Sequence, residues 1–516
     1  MRLATLPSAS KARSQNRHVV APMKGMNTAS PITETPNGYG LRLENVVARS
    51  DGIHTRQGFE YVATGLDGAV TTLMAYPSHV VAATTSAGAP WQWSLMSNPG
   101  GVYLMAVNGS DYLRAYNGTT WSTLTLDNLD TRTVASICTH QSRVFFGSSV
   151  DLTLYYLPTD AIMGAVSPMP LGHLCRKGGK IAAIASLTQD AGRNGTDQLL
   201  VITTEGEAVL WSGNDPDVSA TWSIAGVWNV PKPIGRRCLV PHGGSLAYLC
   251  VRGLLSIPQT LSRDDPEKQN DAISEAIWPT FCDDIQTGAW EMVESAEHEV
   301  LIVNGPRGQY VKSGTGAWST WQMPYATTWI THRGELYFGT SDGSICRYTG
   351  MLDGTRPISA FIVDRYDRLK SLGIKTASQV RLHYKAAKPY TPRVKMLTNY
   401  SDPLSFNLNP LSVYGAFDSS GFNLAWFDTF TADDYQKQLA PSESIAHFTD
   451  GTNYYWPNVT WSRQPSSWLR PVTSRQGLWR GLSAEGTAFA LTIGLKTTVP
   501  IVYTGYDMQY EVGASL

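Results

Sequence analysis

The sequence predicts a mainly β protein: a β-propeller of about six blades, a platform built from both chain ends and a second, distal β domain. Three observations predict this fold class. Charged residues make up only 16% of the 516 residues, against about 25% in an average globular protein, while Gly (46), Trp (16) and Tyr (24) are frequent. One pattern recurs in the middle of the chain, and residues 476–516 alternate between two faces as strands do.

Length and charge limit the classes of function. A chain this long can form several domains, because a single core stops growing near roughly 250–300 residues. Lys plus Arg (41) nearly cancels Asp plus Glu (42), which disfavours a sequence-specific DNA binder and an anionic membrane surface as partners. No apolar run of about 18 residues and no apolar secretory signal occurs, so we expect a protein that is made and kept in the cytoplasm.

Residues 1–24 are predicted to be a flexible basic arm. They contain no Asp or Glu and carry five cations among Ser, Ala and Pro: Arg2, Lys11, Arg13, Arg17 and Lys24. Such an arm either docks onto a neighbouring chain or is a tail without a role.

The propeller, residues 76–350, is predicted from an internal repeat. THQSRVFFGSS begins at Thr139 and THRGELYFGTS at Thr331, 192 residues later, without a gap. Val-Asn-Gly and Trp-Ser-Thr precede each copy in the same order, at Val107 and Trp121 and again at Val303 and Trp318. Apolar runs joined by Gly turns read as hairpins, and blades of about 40–50 residues give roughly six over this range. We interpret the Trp residues as packing between blades, and Asp271–Trp278 as one short helix on a blade connection.

Two further regions complete the domain prediction. Residues 351–475 have strand-like runs between long polar loops and are predicted to form the distal β domain. Residues 25–75 and 476–516 are predicted to form the platform. The strand with Phe489, Leu491 and Ile493 on one face, and the run from Ile501, are expected to pair with N-terminal strands near Leu41–Val47 and Val70–Tyr76.

Motifs for catalysis or ligation are missing from the sequence. The six cysteines have no zinc-like spacing and are interpreted as buried free thiols. Adjacent carboxylates point apart on an extended chain, so Asp283-Asp284 and similar pairs are predicted to lie in solvated loops. His140 and His332 share a repeat position and are interpreted as blade architecture. We therefore predict no catalytic, cofactor-binding or metal-binding residues and no enzyme. Two segments, Ser313–Trp321 and Gly339–Gly350, resemble the Asp-box turns of sialidase propellers without the full pattern.

Patterns near both chain ends resemble tail nozzle or hub proteins of podophages, the short-tailed bacteriophages (tubular tail protein B type). At the start these are GMN (Gly25–Asn27), LRLENVV (Leu41–Val47), RQGFE (Arg56–Glu60) and VTTLMAY (Val70–Tyr76), and at the end LWRGLSAEGTAFAL (Leu478–Leu491) and YDMQYEVG (Tyr506–Gly513). The middle resembles the family only in blade texture, and residues 351–475 match nothing in it.

The resemblance implies a virion protein, assembled in the host bacterial cytoplasm as a homohexameric tube under the portal adaptor ring. The tube extends the DNA channel, retains packaged dsDNA until ejection without sequence-specific binding, and presents surfaces for tail fibres or spikes at the host outer surface. No cofactor is implied. Near-neutral charge fits, because a basic channel would hold phosphates and resist ejection.

Candidate site residues follow from this expectation. The channel constriction is predicted at Tyr400, Tyr414, Phe417, Phe422, Trp426 and Phe427, whose alternative is packing inside the distal domain. The adaptor-proximal platform is predicted at Arg13, Arg17, Leu41, Leu43, Phe489 and Leu491. A carbohydrate-binding propeller acting as a host-surface lectin, and a propeller glycosidase, remain as alternatives, since one fold hosts all three functions.

Overall fold

The computed structural model describes residues 14–84, 90–188, 197–261, 272–286, 288–323, 326–386, 392–401 and 474–512. The chain divides into two compact units. Unit 1 comprises residues 1–60, 312–322 and 349–516, and unit 2 comprises residues 61–311 and 323–348. Strands dominate both units, which confirms the predicted mainly β class.

The described strands are short and follow one another closely. The first part of the chain contains β1 (Gln15–Val20), β2 (Gly40–Glu44), β3 (Val46–Arg49), β4 (Gly52–Thr55), β5 (Phe59–Ala63), β6 (Val70–Ala75), β7 (Val80–Thr84), β8 (Gln92–Asn98), β9 (Gly101–Val107), β10 (Arg114–Tyr116), β11 (Trp121–Thr123), β12 (Leu126–Asp127) and β13 (Val134–His140). The middle contains β14 (Arg143–Ser148), β15 (Thr153–Tyr156), β16 (Gly164–Ala165), β17 (Ser167–Pro170), β18 (Ile181–Thr188), β19 (Asp197–Thr203), β20 (Glu207–Gly213), β21 (Trp222–Asn229), β22 (Leu239–His242), β23 (Ser245–Cys250), β24 (Gly253–Ser256), β25 (Glu291–Ser295) and β26 (Val300–Gly305). The last part contains β27 (Gly308–Ser313), β28 (Trp318–Trp321), β29 (Ala326–His332), β30 (Glu335–Thr340), β31 (Ile345–Tyr348), β32 (Leu352–Asp353), β33 (Arg356–Asp364), β34 (Lys375–Ala386), β35 (Arg393–Thr398), β36 (Ser474–Gln476), β37 (Arg480–Gly486), β38 (Phe489–Thr497) and β39 (Ile501–Val512).

Helices are few among the described residues. They are α1 (Ile257–Leu261) and α2 (Thr280–Ile285), with 3₁₀ turns at Thr131–Thr133 and Glu275–Ile277. The helix predicted over Asp271–Trp278 is reduced to the second of these turns, because the residue before a proline, here Pro279, disfavours helical backbone. Asp283 and Asp284 lie on α2 rather than in a loop, and Tyr310 Oη donates to Asp284 Oδ2 at 2.6 Å.

Unit 2 is a propeller-like arrangement of small antiparallel sheets. Strands β8–β11, then β13, β14, β15 and β17, and then β18–β21 form four-stranded sheets, while β22–β24 and β6–β7 form smaller ones. The first strands of successive sheets lie side by side: β13 packs against β8 and β18, and β29 against β6 and β25. The propeller expectation is confirmed at this level, whereas the count of six blades is not confirmed.

The repeated sequences form equivalent hairpins. THQSRVFFGSS builds β13–β14, and THRGELYFGTS builds β29–β30, with His140 opposite Arg143 and His332 opposite Glu335. The two-residue turns Gln141-Ser142 and Arg333-Gly334 have positive φ at both positions, as tight β-hairpins require. Each first strand also has a shift of pairing register near its start. The sequence repeat is therefore a repeat of backbone geometry.

Unit 1 contains two mainly antiparallel sheets, and β2 also pairs in parallel with β28. One joins β2, β33, β38 and β35, and the other joins β1, β39, β34, β4 and β3, with β36 and β37 along β34. The C-terminal strands share sheets with N-terminal strands, and β6 belongs to unit 2. Residues 351–401, which we predicted to be separate from the platform, pair with the terminal strands. Gln15–Val20, predicted to be part of a flexible arm, pairs with β39 along its whole length.

The described part of the chain contains no helix with the length and apolar character needed to cross a lipid bilayer.

Candidate functional site

The RQGFE turn is fixed by a buried arginine in unit 1. Arg56 is 1% exposed, and its Nη1 and Nη2 donate to the two carboxylate oxygens of Asp353 at 2.7 and 2.8 Å. Its Nε donates to Asn45 Oδ1 at 2.9 Å, and Nη1 also donates to the Gln57 carbonyl at 2.8 Å. A buried guanidinium satisfied in this way is structural, because its donors are already occupied.

The apolar platform candidates lie in the core of unit 1. Leu41, Leu43, Phe489 and Leu491 are all less than 5% exposed. Leu43 is opposite Ile362, which in turn is opposite Ile493, so β2, β33 and β38 bury one another's side chains. These four side chains are part of the core of unit 1 and are not exposed for contact with an adaptor ring. Arg17 is the surface member, with Nη2 3.3 Å from Asp367 Oδ2, and Arg13 lies outside the described residues.

Of the constriction candidates, only Tyr400 lies within the described residues. Its ring packs on Tyr366 at a centroid distance of 4.9 Å, and Arg368 Nε donates to its hydroxyl. Tyr366 Oη donates to the carbonyl of Ser401, the residue after Tyr400, at 2.7 Å. These contacts favour the packing alternative for Tyr400. Tyr414, Phe417, Phe422, Trp426 and Phe427 lie outside the described residues.

The first strands of the unit 2 sheets surround a cavity of about 810 Å³. Its wall includes residues of β6, β8, β13, β18, β22, β25 and β29, so it lies on the axis of the propeller-like arrangement. Trp91, Trp93 and Trp329 contribute aromatic surface, and Ser94, Ser186 and Thr331 contribute hydroxyls. The volume and the mixture of apolar wall with a few polar groups are typical of small-molecule pockets.

A largely buried ion pair lies in the wall of this axial cavity. Arg237 Nη1 donates to Glu291 Oε2, and Arg237 Nη2 donates to Thr72 Oγ1 at 2.7 Å and to the Trp91 carbonyl at 2.8 Å. Glu291 also accepts from the Trp329 amide and from Thr328 Oγ1. Burial raises the pKa of Glu291, and the Arg237 charge opposes that rise. The pair therefore connects β6 and β25 with β29 inside unit 2.

Arg236, the neighbouring residue, also reaches the cavity. Its Nη1 donates to the Asn108 carbonyl at 2.9 Å, and burial lowers the pKa of its guanidinium. Neither arginine was predicted from the sequence, nor was Glu291, because the Arg-Arg dipeptide belongs to no known motif and Glu291 lies 54 residues beyond Arg237.

Residues singled out by the repeat have unequal environments. His140 is buried, with Nδ1 2.8 Å from Ser186 Oγ, and burial lowers its pKa. Trp318 is 1% exposed in unit 1, whereas Trp121, at the matching sequence position, is 42% exposed. Packing between blades therefore does not explain Trp121. It does explain Trp222, which stacks on Trp211 and Phe145 at 5.7 and 6.2 Å.

The cysteines are free thiols, and all except the partly buried Cys138 are buried. Burial raises the pKa of Cys138, Cys238, Cys250, Cys282 and Cys346 to about 12 and that of Cys175 to about 11. Thiols of this kind are poor nucleophiles at neutral pH.

No metal ligands were predicted from the sequence, yet unit 1 brings three potential ones together. Atoms of His18, His383 and Asp507 lie within 4.8 Å of one another. The spacing of 365 residues between the histidines gives no sequence signal for such a cluster.

No family model matches the chain, and no curated protein matches it. Among solved structures, the computationally designed Ika8 protein is 10% identical, with 57% of this chain and 99% of that chain covered and a TM-score of 0.31. BBS1N, solved in complex with ARL6DN, is 12% identical, with 58% and 99% covered and a TM-score of 0.34. The AfRom2 CNH domain is 8% identical, with 60% and 95% covered and a TM-score of 0.31. Since every TM-score is below 0.5, these similarities carry no functional argument.

Proposed function

We propose that this chain is a non-catalytic structural protein of the virion, the tail nozzle subunit of a short-tailed bacteriophage. Each subunit contributes a propeller of about six blades to a homohexameric tube under the portal adaptor ring. The tube extends the DNA channel, retains packaged dsDNA and releases it at ejection. Tail fibres or spikes and the host outer surface are its further partners.

The pairing of distant segments in unit 1 supports this proposal. Most of the patterns on which the resemblance depends come from opposite ends of the chain, and the terminal ones form strands of the same sheets. β2 carries the start of LRLENVV, β38 the end of LWRGLSAEGTAFAL, and β39 the YDMQYEVG pattern. β2 and β38 both pair with β33, and β39 pairs with β4. The N-terminal and C-terminal patterns therefore belong to the same folded unit.

Reconstitution tests the proposal directly. Purified chain is added to DNA-filled heads that lack this protein but retain the adaptor, and vertices are examined by negative-stain electron microscopy. We expect a six-fold stub at the vertex and slower loss of DNA on storage. Bare vertices, with folded chain and intact adaptor, would reject the nozzle function.

A matched pair of variants makes the test specific. Leu478 is 85% exposed and begins the LWRG pattern, whereas Leu372 is 78% exposed in the same unit but lies outside every matching pattern. We expect Leu478→Asp to reduce attachment to the vertex and Leu372→Asp to attach like the unmodified chain. Far-ultraviolet circular dichroism verifies that both variants fold. Equal attachment of the two variants would show that the LWRG surface does not bind the adaptor.

The axial cavity of unit 2 supports a second candidate function, carbohydrate binding. Trp91 and Trp93 offer flat apolar faces beside hydroxyl groups, and pockets of this size hold small molecules. Tryptophan fluorescence during titration with host-surface oligosaccharides tests it. Saturable quenching that is lost in Trp93→Ala would support a lectin. Turnover that is lost in Glu291→Gln would instead indicate a propeller glycosidase.

A further inference from the structure

One face of a unit 1 sheet carries a row of charged and imidazole side chains across three strands. In the middle strand, β39, Asp507 is directly opposite His18 of β1 on one side and Arg381 of β34 on the other. His383 follows Arg381 by two residues and shares its face. His18 Nδ1 lies 2.8 Å from Asp507 Oδ1, and His383 Nε2 lies 2.9 Å from Oδ2.

In this row, one imidazole nitrogen has no hydrogen-bond partner and could bind a ligand. His383 Nε2 is buried, and its approach to Asp507 lacks the geometry of a hydrogen bond. Arg381 Nη2 donates to Asp507 Oδ2 at 2.7 Å, and the Arg381 guanidinium packs over the Trp479 ring at 4.8 Å. Arg381 thereby orients the carboxylate while Oδ1 faces the more exposed His18.

We propose that His18, His383 and Asp507 bind a divalent transition-metal ion of the Zn²⁺ type. Two imidazole nitrogens and one carboxylate oxygen are a common ligand set for such ions, and three protein ligands leave a position for water. Bonds of about 2.0–2.2 Å require small side-chain rotations that draw the three atoms around the ion. Arg381 acts as the outer hydrogen-bond partner that metal-ligating carboxylates usually have.

The ion fastens the first described strand to the sheet. In β1, Gln15, Asn16, His18 and Val20 are exposed and the other two residues are only partly buried, so apolar burial contributes little to its attachment. A metal bond between β1, β34 and β39 would supply that attachment. This inference does not depend on the nozzle function, since it concerns only the docking of β1.

Calorimetric titration of the full chain with ZnCl₂ at neutral pH, after treatment with EDTA, tests the proposal. We expect saturation at one ion per chain, and a loss of affinity of at least about tenfold in His18→Gln and in His383→Gln, because each variant removes one ligand. His54→Gln is the matched control. His54 Nε2 lies 2.6 Å from Asp51 Oδ1, and the third group at that site is a cation, Lys385, 3.3 Å from Asp51 Oδ2. We expect this variant to bind Zn²⁺ like the unmodified chain.

Co²⁺ provides a second readout that does not depend on stability. The visible absorption of the bound ion should show nitrogen ligation and should be lost in both cluster variants but not in His54→Gln. Circular dichroism confirms that each variant is folded. Absence of saturable binding, or equal binding by the unmodified chain and the two cluster variants, would overturn the proposal.

Discussion

Two glycines set how neighbouring sheets of unit 2 approach each other. A Cβ on Gly147 would lie 2.7 Å from Ile181 Cγ2, and a Cβ on Gly339 would lie 2.5 Å from Val70 Cγ1. Ile181 and Val70 each begin the first strand of an adjacent sheet. The glycine after Phe in both repeats therefore has a shared physical cause, since a residue without a side chain lets the adjacent strand pack at this distance. At Gly147 a Cβ would also lie 2.2 Å from Ser136 Oγ of its own sheet.

We predict that Gly147→Ala and Gly339→Ala each lower the free energy of unfolding by about 1–3 kcal/mol, through overpacking. Urea denaturation measures the change. Gly172→Ala is the control, because no heavy atom lies within 4 Å of its added Cβ. Repeat variants as stable as this control would refute the packing explanation.

The Arg237–Glu291 pair permits a prediction about buried charge. Glu291→Ala leaves the Arg237 guanidinium without its carboxylate and should lower the free energy of unfolding by about 3–5 kcal/mol. The double variant Arg237→Met, Glu291→Leu removes both charges and should regain most of that loss. Chemical denaturation of the single and double variants compares these values. A double variant less stable than Glu291→Ala would contradict this prediction, because it would show that the ion pair itself stabilises the folded chain.

At the scale of strands, the sequence predicted those strands whose pairing partners are close along the chain. The β13–β14 and β29–β30 hairpins followed from apolar runs and two-residue turns, because the paired residues of each hairpin are close together along the chain, from His140 and Arg143 out to Val134 and Ser148 in the first. The strand β1 was missed, since Gln15 pairs with Tyr510 and nothing near Gln15 signals that distant partner. The same limit applied to the platform leucines. An apolar residue on a strand is equally compatible with a core and with an interface, so the burial of Leu43 could not be predicted from the sequence alone.

An aspartate between the two sheets of unit 1 leads to a pH prediction. Asp364 ends β33, Tyr503 Oη of β39 donates to its Oδ2 at 3.0 Å, and both side chains are buried. Burial raises the pKa of Asp364 to about 7. Between about pH 4 and pH 7 the unfolded chain has released this proton and the folded chain retains it, so stability falls as pH rises through that window.

We therefore expect Asp364→Asn to flatten the pH dependence. The difference in unfolding free energy between the unmodified chain and the variant should change by about 4 kcal/mol across the window. Urea denaturation at several pH values within and above it measures this difference. Tyr503→Phe removes a hydrogen bond that favours the carboxylate, so it should extend the falling range to higher pH. A difference that is constant with pH would mean that Asp364 is ionised in the folded chain.

The whole molecule is nearly neutral, with 41 basic and 42 acidic residues. The near-neutral charge is relevant to the nozzle proposal, because duplex DNA carries one negative charge per about 1.7 Å of its axis. Each contact between a basic residue of a channel wall and a phosphate would strengthen the binding of DNA to that wall. A subunit that guides DNA outward should retain it by the shape of the channel and release it without a large electrostatic cost.

We predict that the isolated chain does not bind short duplex DNA at physiological salt with a dissociation constant tighter than about 10⁻⁴ M, the weak limit of non-specific binding. Fluorescence anisotropy of a labelled duplex measures this. The control is the same titration at about 10 mM salt, where the Debye length increases to about 30 Å and a local basic surface would become detectable. Micromolar binding at physiological salt, with a steep loss as salt increases, would contradict the prediction. The chain would then hold DNA by charge, and an energy source would be needed for ejection past it.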